Sequence, residues 1–171
     1  MKKVFSILFV AFMSFTMINA QEKADVVLSN ALQTAQKENK NVMVFFHASW
    51  CGWCKLMMKN MQADATKDYF SNNFVLASID VQEMPEKKNL ENPGGEELLE
   101  QYGGANSGVP FWVILDKEGN VLTNSLDDEG QNLGSPATSD EVAVFIAKLE
   151  KTTHIKPEEI SAVKEVFTRE N

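Results

Sequence analysis

The feature that most constrains this chain is a pair of cysteines placed directly after a short apolar run. Residues 42–47 (Val-Met-Val-Phe-Phe-His) favour extended structure and predict a buried central strand. Cys51 and Cys54 follow at once, and they are the only cysteines among 171 residues. Cys54 shares a helical spacing with the methionines that follow it, so a helix is expected to begin at the pair. The sequence therefore predicts a strand, then Cys51 in the first turn of a helix, then Cys54 on the core-facing side of that helix.

This placement predicts a redox role for the two thiols. A thiol attacks only as its thiolate, and the free N–H groups and dipole of a helix N-terminus stabilise an anion there. Lys55 lies one turn further on and is expected to add to this redox tuning. Cys51 is thus predicted to be the nucleophile, and Cys54 to resolve the mixed disulfide that Cys51 forms. No diffusible cofactor is expected, because the electrons reside in the disulfide.

Two other uses of the pair are less favoured. A structural disulfide across three residues would close a very small loop and restrict the unfolded chain little. Two cysteines at this spacing can also form half of a zinc site, whose other ligands would have to be His47 and His154. His154 lies in a polar linker a hundred residues away, so no metal is predicted.

The first twenty residues have the layout of a secretory signal peptide. Two lysines precede an apolar run over residues 4–18, and Asn19-Ala20 follows it. The run is shorter than the roughly twenty residues that a membrane-spanning helix needs. We expect cleavage near Ala20 and a periplasmic or secreted product, with an uncleaved anchor as the alternative. Disulfides persist in such compartments.

The charge of the expected product is strongly acidic. The two lysines of residues 1–20 leave with the signal peptide, so 14 of the 16 basic residues remain against 24 acidic ones, a net charge of −10. This charge argues against nucleic acid and anionic membrane surfaces as partners. About 150 residues would remain, which suits a single domain.

The rest of the chain predicts a mixed sheet covered by helices. Strands at 74–79, 111–115 and 121–126 are expected, the last two joined as a hairpin by the turn at 116–120. An alternating first half followed by a hairpin implies such a sheet. Besides the helix at the cysteines, four helices are predicted. The first contains Leu28 to Ala35, the second covers about 96–102, and the last begins at Pro157. The third begins at Ser139 and carries on one face Val142, Phe145, Ile146 and Leu149.

Residues 46–55 (Phe-His-Ala-Ser-Trp-Cys-Gly-Trp-Cys-Lys) resemble the active-site segment of the thioredoxin superfamily, most closely its exported bacterial members. Residues 108–110 (Gly-Val-Pro) resemble the cis-proline loop of that family. The resemblance covers about residues 25–151 and implies an α/β thioredoxin fold with a central mixed sheet flanked by helices and an extra C-terminal helix. The implied organisation is a signal peptide (1–20), a thioredoxin-like domain (21–153) and a C-terminal helical extension (154–171).

The resemblance also implies a substrate groove beside the cysteines. Pro110 would be cis, would flank Cys51 and would exclude metal. Val109 would offer its backbone to an extended substrate segment, which is binding by strand addition. Trp50 and Trp53 would line the rim of the groove. Simple packing beneath the loop is the alternative for Trp50, whereas Trp53 is expected to be exposed.

The chain departs from the family pattern behind the cysteines. Typical thioredoxins bury an aspartate six residues before the first cysteine, and Phe45 stands there in this chain. The usual general base for Cys54 is therefore missing. His47 is the candidate for a redox-tuning role, with packing or a backbone hydrogen bond as its alternative. The segment 83–106 is longer than in a minimal thioredoxin and predicts either a solvated acidic loop or a rim that influences partner choice.

The leading functional hypothesis is an exported thiol–disulfide oxidoreductase that acts on protein thiols and disulfides. Reduction of substrates is favoured over oxidation, with a membrane electron donor as the supplier and a monomer as the expected state. One alternative is a thioredoxin-fold peptide-binding or chaperone module in which the cysteines are incidental. The other alternative is a zinc-stabilised exported domain.

Overall fold

The computed structural model describes residues 21–169, so the predicted signal peptide lies outside the described residues. Most predicted elements are present at or near their expected places. The helices are α1 (Ala24–Glu38), α2 (Gly52–Met61), α3 (Lys67–Asn73), α4 (Gly95–Gln101), α5 (Ser139–Thr152) and α6 (Pro157–Phe167). The strands are β1 (Asn41–His47), β2 (Phe74–Asp80), β3 (Phe111–Leu115) and β4 (Val121–Asn124), and a 3₁₀ helix covers Pro85–Leu90.

The four strands form one mixed sheet in the order β2-β1-β3-β4. Strands β1 and β2 are parallel, and their register places His47 opposite Asp80. Strand β3 runs antiparallel to β1 and continues through a tight turn into β4. The predicted fold class, a mixed sheet flanked by helices, is confirmed.

The apolar character of β1 on both faces follows from its central position. Met43 and Phe45 belong to the core on one side, together with the helices α2, α5 and α6. Val44 and Phe46 belong to the core on the other side, against α1 and α4. A strand buried on both faces has no polar alternation, which is why its sequence is a continuous apolar run. The strand thereby holds its C-terminal end, and the cysteines after it, in a fixed place.

Helix α3 was not predicted from the sequence. It has seven residues and only two buried ones, Tyr69 and Phe70, so it carries no helical repeat long enough to recognise. Its position depends on distant aromatic contacts, including the stacked rings of Phe70 and Phe145 at 6.4 Å. The 3₁₀ helix was likewise missed, and β4 ends at Asn124, two residues earlier than expected.

Helix α6 shares one core with the helix that begins at the cysteines. Val163 and Phe167 are fully buried, in the same apolar cluster as Met57 of α2. The ring of Phe167 lies 5.2 Å from that of Phe145 and 6.0 Å from that of Phe70. The predicted C-terminal extension therefore packs on the domain, and its helix α6 shares an apolar core with α2.

Among the helices of residues 21–169, none combines the length and the apolar character needed to cross a lipid bilayer.

Replacing Phe167 by alanine should lower the free energy of unfolding by about 3–5 kcal/mol, because it leaves a cavity beside the rings of Phe70 and Phe145. Urea unfolding followed by circular dichroism measures the loss. Lys164→Ala, an exposed position on the same helix, serves as the control and should change stability little. An unchanged unfolding midpoint in Phe167→Ala would show that α6 does not support the core.

Candidate active site

Cys51 and Cys54 are joined as a disulfide at the start of α2. Cys51 is the N-cap residue of the helix, one position before its first turn, because its backbone is still extended. Its Sγ accepts a hydrogen bond from the backbone N–H of Cys54 at 3.0 Å. A helix N-terminus thus presents a donor to the sulfur of Cys51, and this donor would stabilise a thiolate there.

Exposure does not distinguish the two sulfurs, since Cys51 is 2% and Cys54 3% exposed. The sequence placed only Cys54 on the buried side, whereas the structure covers both. Their surroundings differ instead. The Sγ of Cys51 lies 3.4 Å from the carbonyl oxygen of Val109, while Cys54 borders a cleft on the other side of the pair.

The loop that faces Cys51 contains a cis peptide bond between Val109 and Pro110. Pro110 is buried and Val109 is half-buried, and the 3.4 Å contact of the Val109 carbonyl oxygen with the Cys51 sulfur places the loop against the cysteine pair. The side chain of Asn132 donates to the carbonyl oxygens of Gly108 at 2.8 Å and Pro110 at 3.1 Å. Asn132 therefore holds both ends of the loop, a role that nothing in the sequence indicated.

The two tryptophans beside the cysteines are half-exposed. Trp50 is 50% and Trp53 52% exposed, so Trp50 does not pack beneath the loop. The indole N–H of Trp50 donates to the carbonyl oxygen of Gln82 at 2.8 Å, which fixes the orientation of its ring. The guanidinium of Arg169 lies 6.0 Å from the centre of the Trp53 ring, within cation–π range. Both rings offer apolar surface next to the disulfide.

The turn before the cysteines is held by a buried acid. The carboxylate of Glu83 accepts hydrogen bonds from the backbone N–H of Ser49 and from its hydroxyl, the latter at 2.9 Å. Glu83 is only 4% exposed. The prediction of a solvated acidic loop is therefore wrong for the first residue of segment 83–106, which belongs to the frame of the site. The residues that follow Glu83 through the 3₁₀ helix are mostly exposed, as that prediction expected.

An open cleft of about 910 Å³ borders the pair on the Cys54 side. Phe45, which replaces the usual aspartate, forms part of its wall, and Lys55 lies on its rim. His47 faces this cleft with both ring nitrogens in contact with β2. Its Nδ1 lies 3.2 Å from Asp80 Oδ1, and its Nε2 lies 3.1 Å from the hydroxyl of Ser78.

Two carboxyl groups that line the cleft have shifted pKa values, that of Asp64 being lowered by its hydrogen bond with Lys67 and that of Asp80 being raised. Burial raises the pKa of the Asp80 carboxyl, the nearby His47 opposes that shift, and the negative Glu83 adds to it. The sequence singled out His47 but not Asp80. The parallel register of β1 and β2 brings the two together, and this register could not be read from the sequence.

Within residues 21–169, no three side chains of His, Cys, Asp and Glu are grouped so that they would hold a metal ion.

A family model described as Thioredoxin-like matches residues 24–117, more than half of the chain. The chain belongs to the Thioredoxin-like family. The matched range contains the cysteine pair and the cis peptide bond before Pro110. The predicted family is thereby confirmed, and the family and the disulfide together support the predicted enzyme class, thiol–disulfide oxidoreductase.

Individual proteins are similar to this Thioredoxin-like chain either over a short stretch or at low sequence identity. The "Probable protein disulfide-isomerase ER-60" of Schistosoma mansoni is 42% identical over 55 residues, which is 32% of this chain and 11% of that protein. The disulphide isomerase of Xylella fastidiosa Temecula1 is 22% identical, with a TM-score of 0.49 over 63% of this chain and 84% of that chain. The C-terminal domain of Neisseria meningitidis DsbD is 23% identical, with a TM-score of 0.49 over 78% of this chain and 100% of that one.

In the reduced protein, Cys51 should react with iodoacetamide at neutral pH about tenfold faster than Cys54, because only its sulfur accepts a helix N-terminal N–H. Timed alkylation followed by peptide mass spectrometry measures the two rates in one sample. Denatured protein is the control, and there the two rates should converge. Equal rates in the folded protein would show that the helix N-terminus does not make Cys51 the more reactive thiol.

Proposed function

We propose that this chain is an exported thiol–disulfide oxidoreductase that exchanges disulfides with protein substrates through Cys51 and Cys54. The observation that carries the proposal is the placement of the Cys51 sulfur. It receives the N–H of Cys54 at a helix N-terminus and lies 3.4 Å from the carbonyl oxygen of Val109, beside two exposed tryptophans. A nucleophilic sulfur and a surface for polypeptide are thus adjacent.

The reaction consists of two exchanges. The Cys51 thiolate attacks one sulfur of a substrate disulfide, forms a mixed disulfide and releases the other substrate sulfur as a thiolate. Cys54, once deprotonated, then attacks the Cys51 sulfur and releases the second substrate sulfur. The substrate gains two electrons and the pair returns to its disulfide. A dithiol electron donor must reduce the pair again, and we assign this role to a membrane protein.

Substrate binding is assigned to the cis-proline side of the disulfide. The half-buried Val109 would pair its backbone with an extended substrate segment, and Pro110 would keep that segment beside Cys51. Trp50 and Trp53 would supply apolar contact area on the opposite rim.

The proton of Cys54 leaves on the other side, through the cleft. Both nitrogens of His47 are engaged by β2, so His47 acts by orienting the Asp80 carboxyl and opposing the rise of its pKa. The Asp80 carboxylate accepts the proton by way of the cleft. This pair replaces the aspartate whose usual position Phe45 occupies. Lys55, on the rim of the cleft, tunes the same site by its positive charge.

Reduction of substrates is the proposed direction. Exposed disulfides have the higher, more oxidising potentials, whereas both sulfurs here are almost fully covered. This covering favours the oxidised pair and makes its reduced form a donor of electrons. We further propose that the protein acts as a monomer in the periplasm or outside the cell after removal of residues 1–20. No cofactor beyond the disulfide is required.

Cys51→Ser should abolish reduction of insulin disulfides, whereas Cys54→Ser should accumulate mixed disulfides with protein substrates, since the resolving thiol is gone. Turnover assays and non-reducing gels of the two variants measure this. The double serine variant tests the chaperone alternative. If it retains the full effect of the protein on unfolded substrates, the cysteines are incidental and the oxidoreductase proposal fails.

The reduction potential of the pair tests the direction. Equilibration against glutathione and dithiothreitol buffers should give a value near or below about −270 mV, as for a thioredoxin-type reductant. A value near about −120 mV would make the protein an oxidant instead.

Asp80→Asn should slow the resolution of a preformed mixed disulfide by at least about tenfold near neutral pH, because the proton acceptor is lost. In the unsubstituted protein the rate should fall as the pH drops through the raised pKa of Asp80, since protonated Asp80 accepts nothing. Quenched-flow measurements between pH 4 and 8 give both profiles. Ser78→Ala keeps the carboxylate and serves as the control. Its profile should retain this acid limb, and superimposable profiles of Asp80→Asn and the unsubstituted protein would exclude Asp80.

A further inference from the structure

Gln82 has an unusual backbone conformation for a residue with a side chain. Its φ angle is 54°, in the left-handed region that favours glycine. It lies between β2 and the 3₁₀ helix, at the start of the long segment that precedes the cis-proline loop. A glycine would make this turn without strain, so the turn alone does not account for a glutamine.

The side chain and backbone of Gln82 connect three parts of the site. Its carbonyl oxygen accepts the indole N–H of Trp50 at 2.8 Å, and its side-chain amide donates to the carbonyl oxygen of Ser107 at 3.2 Å. Its backbone N–H donates to the carboxylate of Glu96 on α4 at 2.9 Å. Trp50 directly precedes Cys51, and Ser107 lies two residues before Val109. A single residue therefore joins the segment that precedes Cys51 to the segment that precedes the cis-proline loop.

The neighbouring Glu83 adds further hydrogen bonds to this connection. Its buried carboxylate holds Ser49, the residue before Trp50, by the backbone N–H and the hydroxyl. Its own backbone N–H donates to the carboxylate of Glu91 at 2.7 Å. This hydrogen bond joins the two ends of the 3₁₀ helix segment. The contacts of Gln82 thus join two walls of the groove. The Trp50 wall (residues 49–50) is held by Glu83, and the cis-proline wall (residues 107–110) is held by Asn132.

We propose that Gln82 is a specificity-determining residue that sets the separation between the Trp50 wall and the cis-proline wall of the substrate groove. The substrate class it selects is an extended polypeptide that contacts both walls at once. A small disulfide needs only the sulfur of Cys51 and is indifferent to this spacing. Gln82 is a positioning residue and touches no reacting atom. The inference rests on the proposed oxidoreductase function and specifies its substrate.

The decisive variant is Gln82→Glu, which keeps the length of the side chain but replaces the amide donor by a carboxylate that cannot donate to Ser107. Gln82→Gly removes the side chain and relieves the left-handed backbone, so it separates the bridge from the turn. Gln36 offers a matched control. Its amide also donates to a backbone carbonyl, that of Lys117 at 3.1 Å, but at the opposite end of β3 from the cis-proline loop.

The KM for a polypeptide disulfide should rise about five- to tenfold in both Gln82 variants, because one hydrogen bond of the groove is lost, while kcat changes less than about twofold. Reduction of dithiobis-nitrobenzoate, a small disulfide, should stay within about twofold in every variant. Gln36→Glu should leave both substrates unaffected. An unchanged KM for the polypeptide would overturn the proposal, and so would an equal loss on the small disulfide, because the damage would then lie at the cysteines.

A binding measurement keeps the inference separate from the proposed function. A cysteine-free peptide with the sequence of the polypeptide substrate reports on the groove without any redox step, through tryptophan fluorescence. Its Kd should rise by the same factor in Gln82→Glu and stay constant in Gln36→Glu. If the unsubstituted protein reduced no disulfide but this difference in Kd appeared, the proposed function would fail and the role of Gln82 would stand. An unchanged Kd would refute that role whatever the turnover.

Discussion

The hydrogen bond from the backbone N–H of Cys54 to the Cys51 sulfur depends on the exact junction between a buried strand and a helix. The N–H is one of the unpaired donors that every helix leaves at its start, and Cys51 occupies the N-cap position that meets it. Strand β1 fixes the place of this junction because both of its faces are buried. Helix α6 packs in the same apolar cluster as α2. The two apolar cores thus serve to hold one sulfur at one helix terminus.

The two sides of the disulfide present different surfaces. On the side of Cys51, the cis-proline loop and the half-exposed tryptophans offer backbone and apolar surface. On the side of Cys54, an open cleft contains the paired His47 and Asp80. Attack on a substrate and release of a proton would therefore use separate surfaces, so a bound polypeptide need not obstruct the exit of the proton.

The local part of this design could be predicted from the sequence, and the long-range part could not. A continuous apolar run followed by two cysteines at helical spacing is enough to predict β1 and α2, since both periodicities are local. The helical stripe of α5 was equally readable, and all four of its predicted residues are buried. Helix α3 escaped because two aromatic anchors form no repeat. Asp80, Gln82 and Asn132 escaped because each acts on a partner more than twenty residues away. The burial of Glu83 was missed for the same reason. Its charge predicts a solvent-exposed side chain, and only its contact with the distant Ser49 accounts for its burial.

The dependence of the site on α6 has a consequence for the order of folding. Phe167, which closes the core beneath α2, lies more than a hundred residues after Cys54. During synthesis the cysteines are made long before the helix that completes their support, and contacts so distant in sequence form late. The two thiols must pass through this interval without their final covering. Because the chain contains no third cysteine, no wrong disulfide within the molecule is available to them. An early disulfide formed within one molecule is therefore the same bond that the finished protein contains.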